Sequence, residues 1–433
     1  MKQLYQVNTW IAAIQWVFFI FTNTVVIPIT IGSALHLSQG KIVSLLQVSF
    51  VLTGIACVIQ ALLGHQRSIM EGHSGLWWGV FLAVVTSLAA QGVSLQVIGG
   101  SLTVGFIISG LITMMIGLIG LGPLVSKLFS PAVMSVFLFL LGVQLVGTFF
   151  KGMIGLPFGH PTGEVRIDFP IALLSILTAT FVIFLNVKAK ESIRQYSLLI
   201  GIVLGWIIYV IIFKPSYVKT ERASFMELFP LGEPVIDAGI VLLAICACLL
   251  NLANTSVSLK GTDVFYKNES TRSHYRASFT ITGAMSTIGG SFGLIPYAPY
   301  VSSIGFLEQT KLPERLPFVL AGCMFILLGV FPTIGTFLSN LPLSIGSAVL
   351  FVAYLLLFHS SINFLKTVIL NRVNVYRLAI PIFLGVVIMT IPDDYFLSIP
   401  HSFRPLISNG LIVGISLSVL MEAFIRWDHM KDT

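Results

Sequence analysis

Apolar residues run in long unbroken stretches along the whole chain, and polar residues gather in the short intervals between them. Runs bounded by charge, Pro or Gly fall at 10–32, 42–63, 75–90, 101–122, 132–150, 170–187, 197–213, 236–256, 277–291, 301–313, 316–338, 342–365, 377–391 and 405–424. A helix of about 20 apolar residues crosses the hydrocarbon core of a bilayer. The pattern therefore predicts an all-α polytopic membrane protein of 14 segments. Two runs are irregular. The run at 75–90 is short, and the one at 301–313 is short and polar, with Glu308, Gln309 and Lys311. Each follows a stretch rich in Gly, Pro or Ser: Met70-Glu71-Gly72-His73-Ser74-Gly75 before the first, Pro296-Tyr297-Ala298-Pro299-Tyr300 before the second. Both are expected to be half-helices that begin part-way across the membrane.

Composition narrows the class. Of 433 residues, 56% are hydrophobic and 9% charged, against about a quarter charged in soluble domains. A water-soluble enzyme is excluded, and the spans leave no room for a sizeable extramembrane domain. The first run is too long for a signal-peptide core and lacks a small-residue cleavage pattern, so it is expected to remain as the first span.

The net charge of +7 does not point to nucleic acid, because the basic residues stand singly between apolar runs rather than in a patch. They sort by side instead. With the N-terminus inside, Lys2, Arg67, Lys127, Lys188, Lys190, Arg194, Lys260, Lys267, Arg272, Arg276, Lys311, Arg315, Lys366, Arg372, Arg377, Arg426 and Lys431 fall on the inner side. These are 17 of the 24. Lys41, Lys151, Arg166, Lys214, Lys219, Arg222 and Arg404 stay outside, where Glu221, Glu227 and Glu233 accompany them. Basic residues accumulate in cytoplasmic connections, so both termini are expected in the cytoplasm and the protein in the cell inner (plasma) membrane.

The halves echo each other. The interrupted segments lie about half the chain apart, and Ser130-Pro131 and Leu341-Pro342 each open a long run. Seven spans per half makes a repeat inverted in the membrane, and paired interruptions in such repeats point to a transporter's midplane binding site.

Polar residues at membrane depth are the candidates for chemistry. Gln15 and Asn23 share a face of the first span; Asn251, Asn254, Thr255 and Ser258 follow i, i+3, i+4 and i+7 in the eighth. Helix-to-helix hydrogen bonding is the plain alternative for each. A half-helix starting at mid-depth presents unpaired N–H groups and a positive dipole end, which suits a flat ligand bearing carbonyl oxygens. His73, Ser74, Ser302 and Ser303 stand at those ends, the serines also as helix caps. Glu71 is a candidate for proton coupling, as is His73. Glu308 is read with Lys311 and Arg315 as an exposed charged edge.

Phosphate-loop, zinc-protease and hydrolase motifs are absent, and no metal or cofactor is expected. Cys57, Cys246, Cys248 and Cys323 lie in apolar runs as packing residues. Asp393-Asp394 reads as a solvated outer turn, and the triplet Asn268-Glu269-Ser270 falls on the inner side.

Several motifs resemble the nucleobase-ascorbate transporter family, and in particular its bacterial uracil and xanthine/purine permeases. These are Gln15-Trp16 with Thr22-Asn23-Thr24-Val25-Val26-Ile27-Pro28, Leu128-Phe129-Ser130-Pro131-Ala132-Val133-Met134 with Gly142-Val143-Gln144-Leu145, and Ser302-Ser303-Ile304-Gly305 with Thr310. The resemblance covers essentially the whole chain. It implies fourteen segments in two inverted repeats of seven, with short strands before half-helices 3 and 10. It further implies a core domain (1–125 and 236–340) and a gate domain (126–235 and 341–433). The family carries uracil, xanthine, uric acid and other purines, usually with protons. Its motif positions fall here on Asn23, Gly72 to Gly75, Asn254 and Ser302-Ser303. The sequence departs from it at Asn254, where an acid is usual, at Ser302-Ser303, where Glu or Gln precedes Asn, and at Trp16, where His is common.

The resulting expectation is a secondary transporter importing a purine such as xanthine or hypoxanthine, with the proton as candidate coupling ion. The side chains of Asn23, Asn254, Thr255, Ser302 and Ser303 and the backbone at 72–75 and 301–303 would bind the base. Gln15, Asn251, Ser258, Gly305 and Thr310 would support them. The lipid bilayer is the surrounding partner, nucleic acid is not a partner, and a homodimer is compatible with the pattern. An anion or carboxylate transporter of the same architecture is the alternative, with a lipid-acting membrane enzyme behind it.

Overall fold

A computed structural model describes residues 7–156, 158, 166–215, 226–266, 268–425 and 427. Lys2, Lys219, Glu221, Arg222, Lys267, Arg426 and Lys431 of the charge count lie outside them.

In the first half, α1 (Val7–Thr24) continues into α2 (Val26–Ala34), and α3 (Gln39–Leu62) returns. The strand β1 (Glu71–His73) then leads into α4 (Gly75–Ala90), followed by α5 (Leu95–Ile119), the single turn α6 (Gly122–Val125) and α7 (Pro131–Met153). Next come α8 (Phe169–Lys188), the turn α9 (Glu191–Arg194) and α10 (Ser197–Phe213). The second half holds α11 (Ala238–Tyr266), α12 (Arg272–Ser291), the strand β2 (Tyr297–Pro299) and α13 (Ser302–Thr310). It continues with α14 (Arg315–Val330), α15 (Pro332–Leu338), α16 (Leu343–Leu365), α17 (Arg372–Thr390), the turn α18 (Arg404–Ile407) and α19 (Gly410–Phe424).

Among the described residues, eight helices are long and apolar enough to cross a membrane, or nine if α14 and α15 form one bent span. The protein is thus a multi-pass membrane protein. Helices α4, α10 and α19 are shorter apolar helices. The runs at 277–291 and 301–313 are α12 and α13, both more polar than the rest.

The sequence expectation needs adjustment at two places. The run at 316–338 is not one straight helix but breaks by 85° at Phe331, because Pro332 has no N–H to give the preceding turn and its ring crowds that turn. The run ending at 256 continues as helix to Tyr266, past Lys260 and Asp263, because polar side chains at a helix end can reach water.

Glycines set the tightest packing. A Cβ on Gly283 of α12 would stand 2.2 Å from the Met114 backbone nitrogen and 2.7 Å from the Gly110 carbonyl oxygen of α5. On the other side of the bundle, Gly54 of α3 and Gly322 of α14 approach equally closely, with 2.6 Å from a Gly54 Cβ to the Gly322 oxygen. Small residues let helix backbones meet where lipid supplies no hydrophobic drive between helices.

Candidate functional site

The centre of the molecule is a two-stranded antiparallel sheet: Glu71 faces Pro299, Gly72 faces Ala298 and His73 faces Tyr297. All six residues are buried. Extended backbone inside a membrane must find partners within the protein, and each strand supplies them to the other. The pairing extends at both ends, with Ser74 N donating to Pro296 O (2.9 Å) and Tyr300 N to Met70 O (2.8 Å). Each strand feeds directly into a helix, β1 into α4 and β2 into α13, so two helix N-termini open at this centre.

The stripe on α11 meets this sheet. Asn251 Nδ2 donates to Tyr297 O (3.0 Å), and its Oδ1 accepts from Ser74 Oγ (2.5 Å) and from Asn254 Nδ2 (3.0 Å). Ser258 Oγ donates to Pro299 O (3.3 Å). Ser74 also accepts from Trp77 N as the cap of α4. One amide therefore ties α4, β2 and α11 together. Asn254 is half-buried, and no donor among the described residues meets its Oδ1. Thr255 is buried beside it.

Strand alternation sends Glu71 and His73 to one side. Glu71 accepts from Thr282 Oγ1 (2.6 Å) and Gln60 Nε2 (3.3 Å), between α12 and α3. His73 Nε2 bonds Ser49 Oγ of α3 at 2.6 Å, and its ring tilts against Tyr297. Both side chains thus pack behind the sheet. What His73 presents toward Asn23 is its carbonyl: Tyr300 Oη donates to His73 O (2.7 Å) and approaches Asn23 O (3.2 Å). Gly72 lies under the Tyr300 ring, 3.2 Å from where a Cβ would be. Across from Gly75 stands Tyr354 of α16, its Oη 3.6 Å from a Cβ there.

The other candidates divide. Asn23 Nδ2 donates to Phe19 O in its own helix (2.8 Å), and Gln15 is half-buried. Ser303 is buried and accepts from Met70 N (3.0 Å), fixing the approach to β1. Ser302 is exposed one residue away, Val301 is half-buried, and Gly305 has open space where a Cβ would stand. Thr310 Oγ1 bonds back to Phe306 O. Trp16 is fully buried against Phe306 and Phe318. The four cysteines are free, and Cys57 Sγ reaches Glu71 O.

Sequence reasoning passed over Tyr300, Tyr354, Gln60 and Thr282; only the clustering of Tyr297 and Tyr300 beside the interruption could have signalled the first. It also counted Arg67 simply as an inner charge. Arg67 is buried, pairs with Asp263 at 2.7 Å, and donates to Leu259 O, Thr262 Oγ1 and Asn268 O. It thereby anchors the segment entering β1 to the end of α11. Groups of three or more His, Cys, Asp or Glu placed to hold a metal do not occur among the described residues.

Comparison with known proteins agrees with this architecture. A family model described as "Permease family" (Xan_ur_permease) matches residues 7–394. YwdJ of Bacillus subtilis (strain 168), whose designation as a purine permease is provisional, is 28% identical, covering 97% of each chain. Uric acid permease PucJ of the same organism is 26% identical over 97% of this chain and 93% of its own. Among solved structures, the transmembrane domain of the cyanobacterial bicarbonate transporter BicA superposes with a TM-score of 0.67 at 16% identity, covering 96% of this chain and 97% of that one. That likeness concerns the fold alone. The family is one of permeases and not of enzymes, and its model spans nearly all the helices described above: the chain belongs to this permease family, the nucleobase-ascorbate transporters.

Proposed function

We propose that the chain is a secondary transporter that carries a nucleobase, a purine such as xanthine or hypoxanthine, across the plasma membrane by alternating access. The observation that carries this reading is the pair of strands whose half-helices α4 and α13 open at one buried centre, joined there to α11 by Asn251. A planar base needs both donors and acceptors along its edge. Asn254 offers a carbonyl oxygen, Asn23, Thr255 and Ser302 further polar groups, and the backbone at 72–75 and 301–303 the N–H groups of two helix starts. Ser303, Asn251, Ser258, Gln15, Gly305 and Thr310 position them. Relatives named as purine and uric acid permeases support the substrate class.

The same reading takes fourteen segments in two inverted repeats, α14–α15 counting as one. In repeat numbering, α5 with α12 is segment four with nine, and α14 with α3 is eleven with two. Both pairs are held by facing glycines, the recurrence an inverted repeat would produce. Residues 1–125 and 236–340 form the core, and 126–235 and 341–433 the gate, with both termini cytoplasmic. Coupling to protons would run through Glu71 or His73, because the Asn254 amide cannot accept the coupling proton. The bicarbonate transporter's likeness supports the fold and gives no ground for preferring an anion.

Reconstitution into liposomes tests the reading. Uptake of labelled xanthine or hypoxanthine, competed by bases and not by sulfate or carboxylates, is the expected result. Uptake of none of a panel of purines and pyrimidines, with or without an inward proton gradient, would overturn it.

A further inference from the structure

The Glu71 side chain is fully buried behind the sheet, and the groups that meet its carboxyl are donors. Thr282 Oγ1 of α12 donates to Glu71 Oε1 (2.6 Å). Gln60 Nε2 of α3 donates to Glu71 Oε2 (3.3 Å), to Thr282 Oγ1 (3.0 Å) and to Ser278 O (3.1 Å). A buried carboxylate ordinarily has a cation beside it, yet no ion pair among the described residues includes Glu71. Arg67, four residues earlier, is committed to Asp263 and the end of α11. The remaining titratable neighbours are bonded elsewhere. His73 of β1 meets Ser49 and Tyr297 of β2 meets Thr53 (3.2 Å), both on α3, while Cys57 of α3 meets the Glu71 backbone (3.4 Å). Two donors from two helices are thus what favours the charged form.

Gln60 is left unbalanced in return. Its Oε1 is buried and meets no partner among the described residues, and it lies against Gly64, where any Cβ would collide with it. An unpaired buried acceptor is unfavourable. An amide presents a donor at one end and an acceptor at the other. The neutral form of Glu71 lacks only an acceptor for its O–H, and this idle oxygen is one that α3 can supply.

We propose that Gln60 and Thr282 are the positioning residues of proton coupling. They hold Glu71 as the carboxylate in the arrangement described here. When a proton from water is loaded, the Gln60 amide turns so that Oε1 accepts from the new O–H, while Thr282 keeps donating to the other oxygen. Release reverses these steps and returns the proton to water. The strand that bears Glu71 continues to His73, whose carbonyl accepts from Tyr300, so the change is passed along β1 toward the base. The inference rests on the reading above in which Glu71 carries the coupling proton.

Binding of labelled hypoxanthine and xanthine to the chain in lipid nanodiscs, measured across pH, tests it. Coupling between proton and base is reciprocal, so wild-type affinity should fall as pH rises. An acid deprived of donors to its charged form keeps its proton to higher pH. Gln60→Met and Thr282→Val should each move the midpoint of that fall upward by about one pH unit or more, and Thr282→Ser, which restores the hydroxyl, should return the wild-type profile. In a Glu71→Gln background neither substitution should move the profile, an outcome that a loss of packing alone does not produce. Size-exclusion profiles establish folding, and Thr282→Val carries the test if Gln60→Met is not folded. An unshifted midpoint in a folded variant, or the same shift with Glu71 replaced, would overturn the inference and leave the coupling reading standing. Wild-type affinity independent of pH would overturn the coupling reading and this inference with it, while binding of neither base would overturn the nucleobase reading as well.

Discussion

Asn251 shows how much one side chain contributes at this centre. Removing it leaves Ser74 Oγ, Tyr297 O and Asn254 Nδ2 each short of a bond inside the protein. Asn251→Ala is expected to cost about 1–3 kcal/mol, seen as a lowered melting temperature in detergent, and to cut uptake more than tenfold; an unchanged melting temperature would contradict the bridging role. Glu71 makes a different prediction. Its carboxylate meets Thr282 and Gln60, both of which can bond an amide equally well. Glu71→Gln should therefore keep base binding and lose uptake driven by a pH gradient, and gradient-driven uptake at the wild-type rate would remove Glu71 from the coupling path. At this scale the sequence was legible where periodicity met an unusual residue. The spacing of Asn251, Asn254 and Ser258 on a helix correctly implied a shared face, and that face meets β2. It could not tell which side of a strand Glu71 and His73 occupy, because a strand surrounded by protein has two buried faces and both residues share whichever is chosen. Tyr354 stayed hidden because a tyrosine in an apolar run carries no periodic signature of its own.

Among the elements, the two short helices that follow the strands were the most readable feature. Short polar-interrupted runs flanked by Gly and Pro have few structures open to them in a membrane, and α4 begins at Gly75 as the pattern implied. The bend between α14 and α15 was less readable, since Pro332 lies within a continuous apolar run and proline is tolerated in many membrane helices. Contacts between helices were not readable at all, because glycine serves turns and close packing alike. The structure separates those roles and yields a contrast that can be measured. Gly283→Leu would drive a side chain into the α5 backbone, and overpacking of this kind costs about 1–3 kcal/mol or more. It should abolish the monodisperse peak in fluorescence-detected size exclusion. Gly305→Ala, facing open space, should leave that peak in place. Equal behaviour of the two variants would show that α5 and α12 are not packed as described.

Over the whole molecule, two polar contacts among the described residues tie the proposed core to the proposed gate on the face assigned to the outside. His401 Nδ1 lies 3.6 Å from Asp237 Oδ2, and Arg404 Nη1 donates to Gln91 Oε1 at 3.1 Å. At the opposite end, Ser302 and Gly305 of α13 are exposed, as is Val264 near the end of α11. On the proposed alternating access, the His401–Asp237 and Arg404–Gln91 contacts would have to part for their end to open. Joining Asp237→Cys to His401→Cys with a short thiol cross-linker, in a Cys323→Ser background, should stop uptake, and cleaving the linker should restore it. Undiminished uptake after cross-linking would show that this end does not need to open. The pairing of β1 with β2 has a consequence for how such a chain is made. The two strands are separated by more than half the sequence, so the first is synthesised long before its partner exists. Unpaired strand backbone is not stable in hydrocarbon, and α4 is too short to span alone. The 70–90 region must therefore wait outside the lipid until the second half inserts. Ribosome-bound chains halted before residue 290 should leave that region open to protease, and chains halted after α14 should protect it.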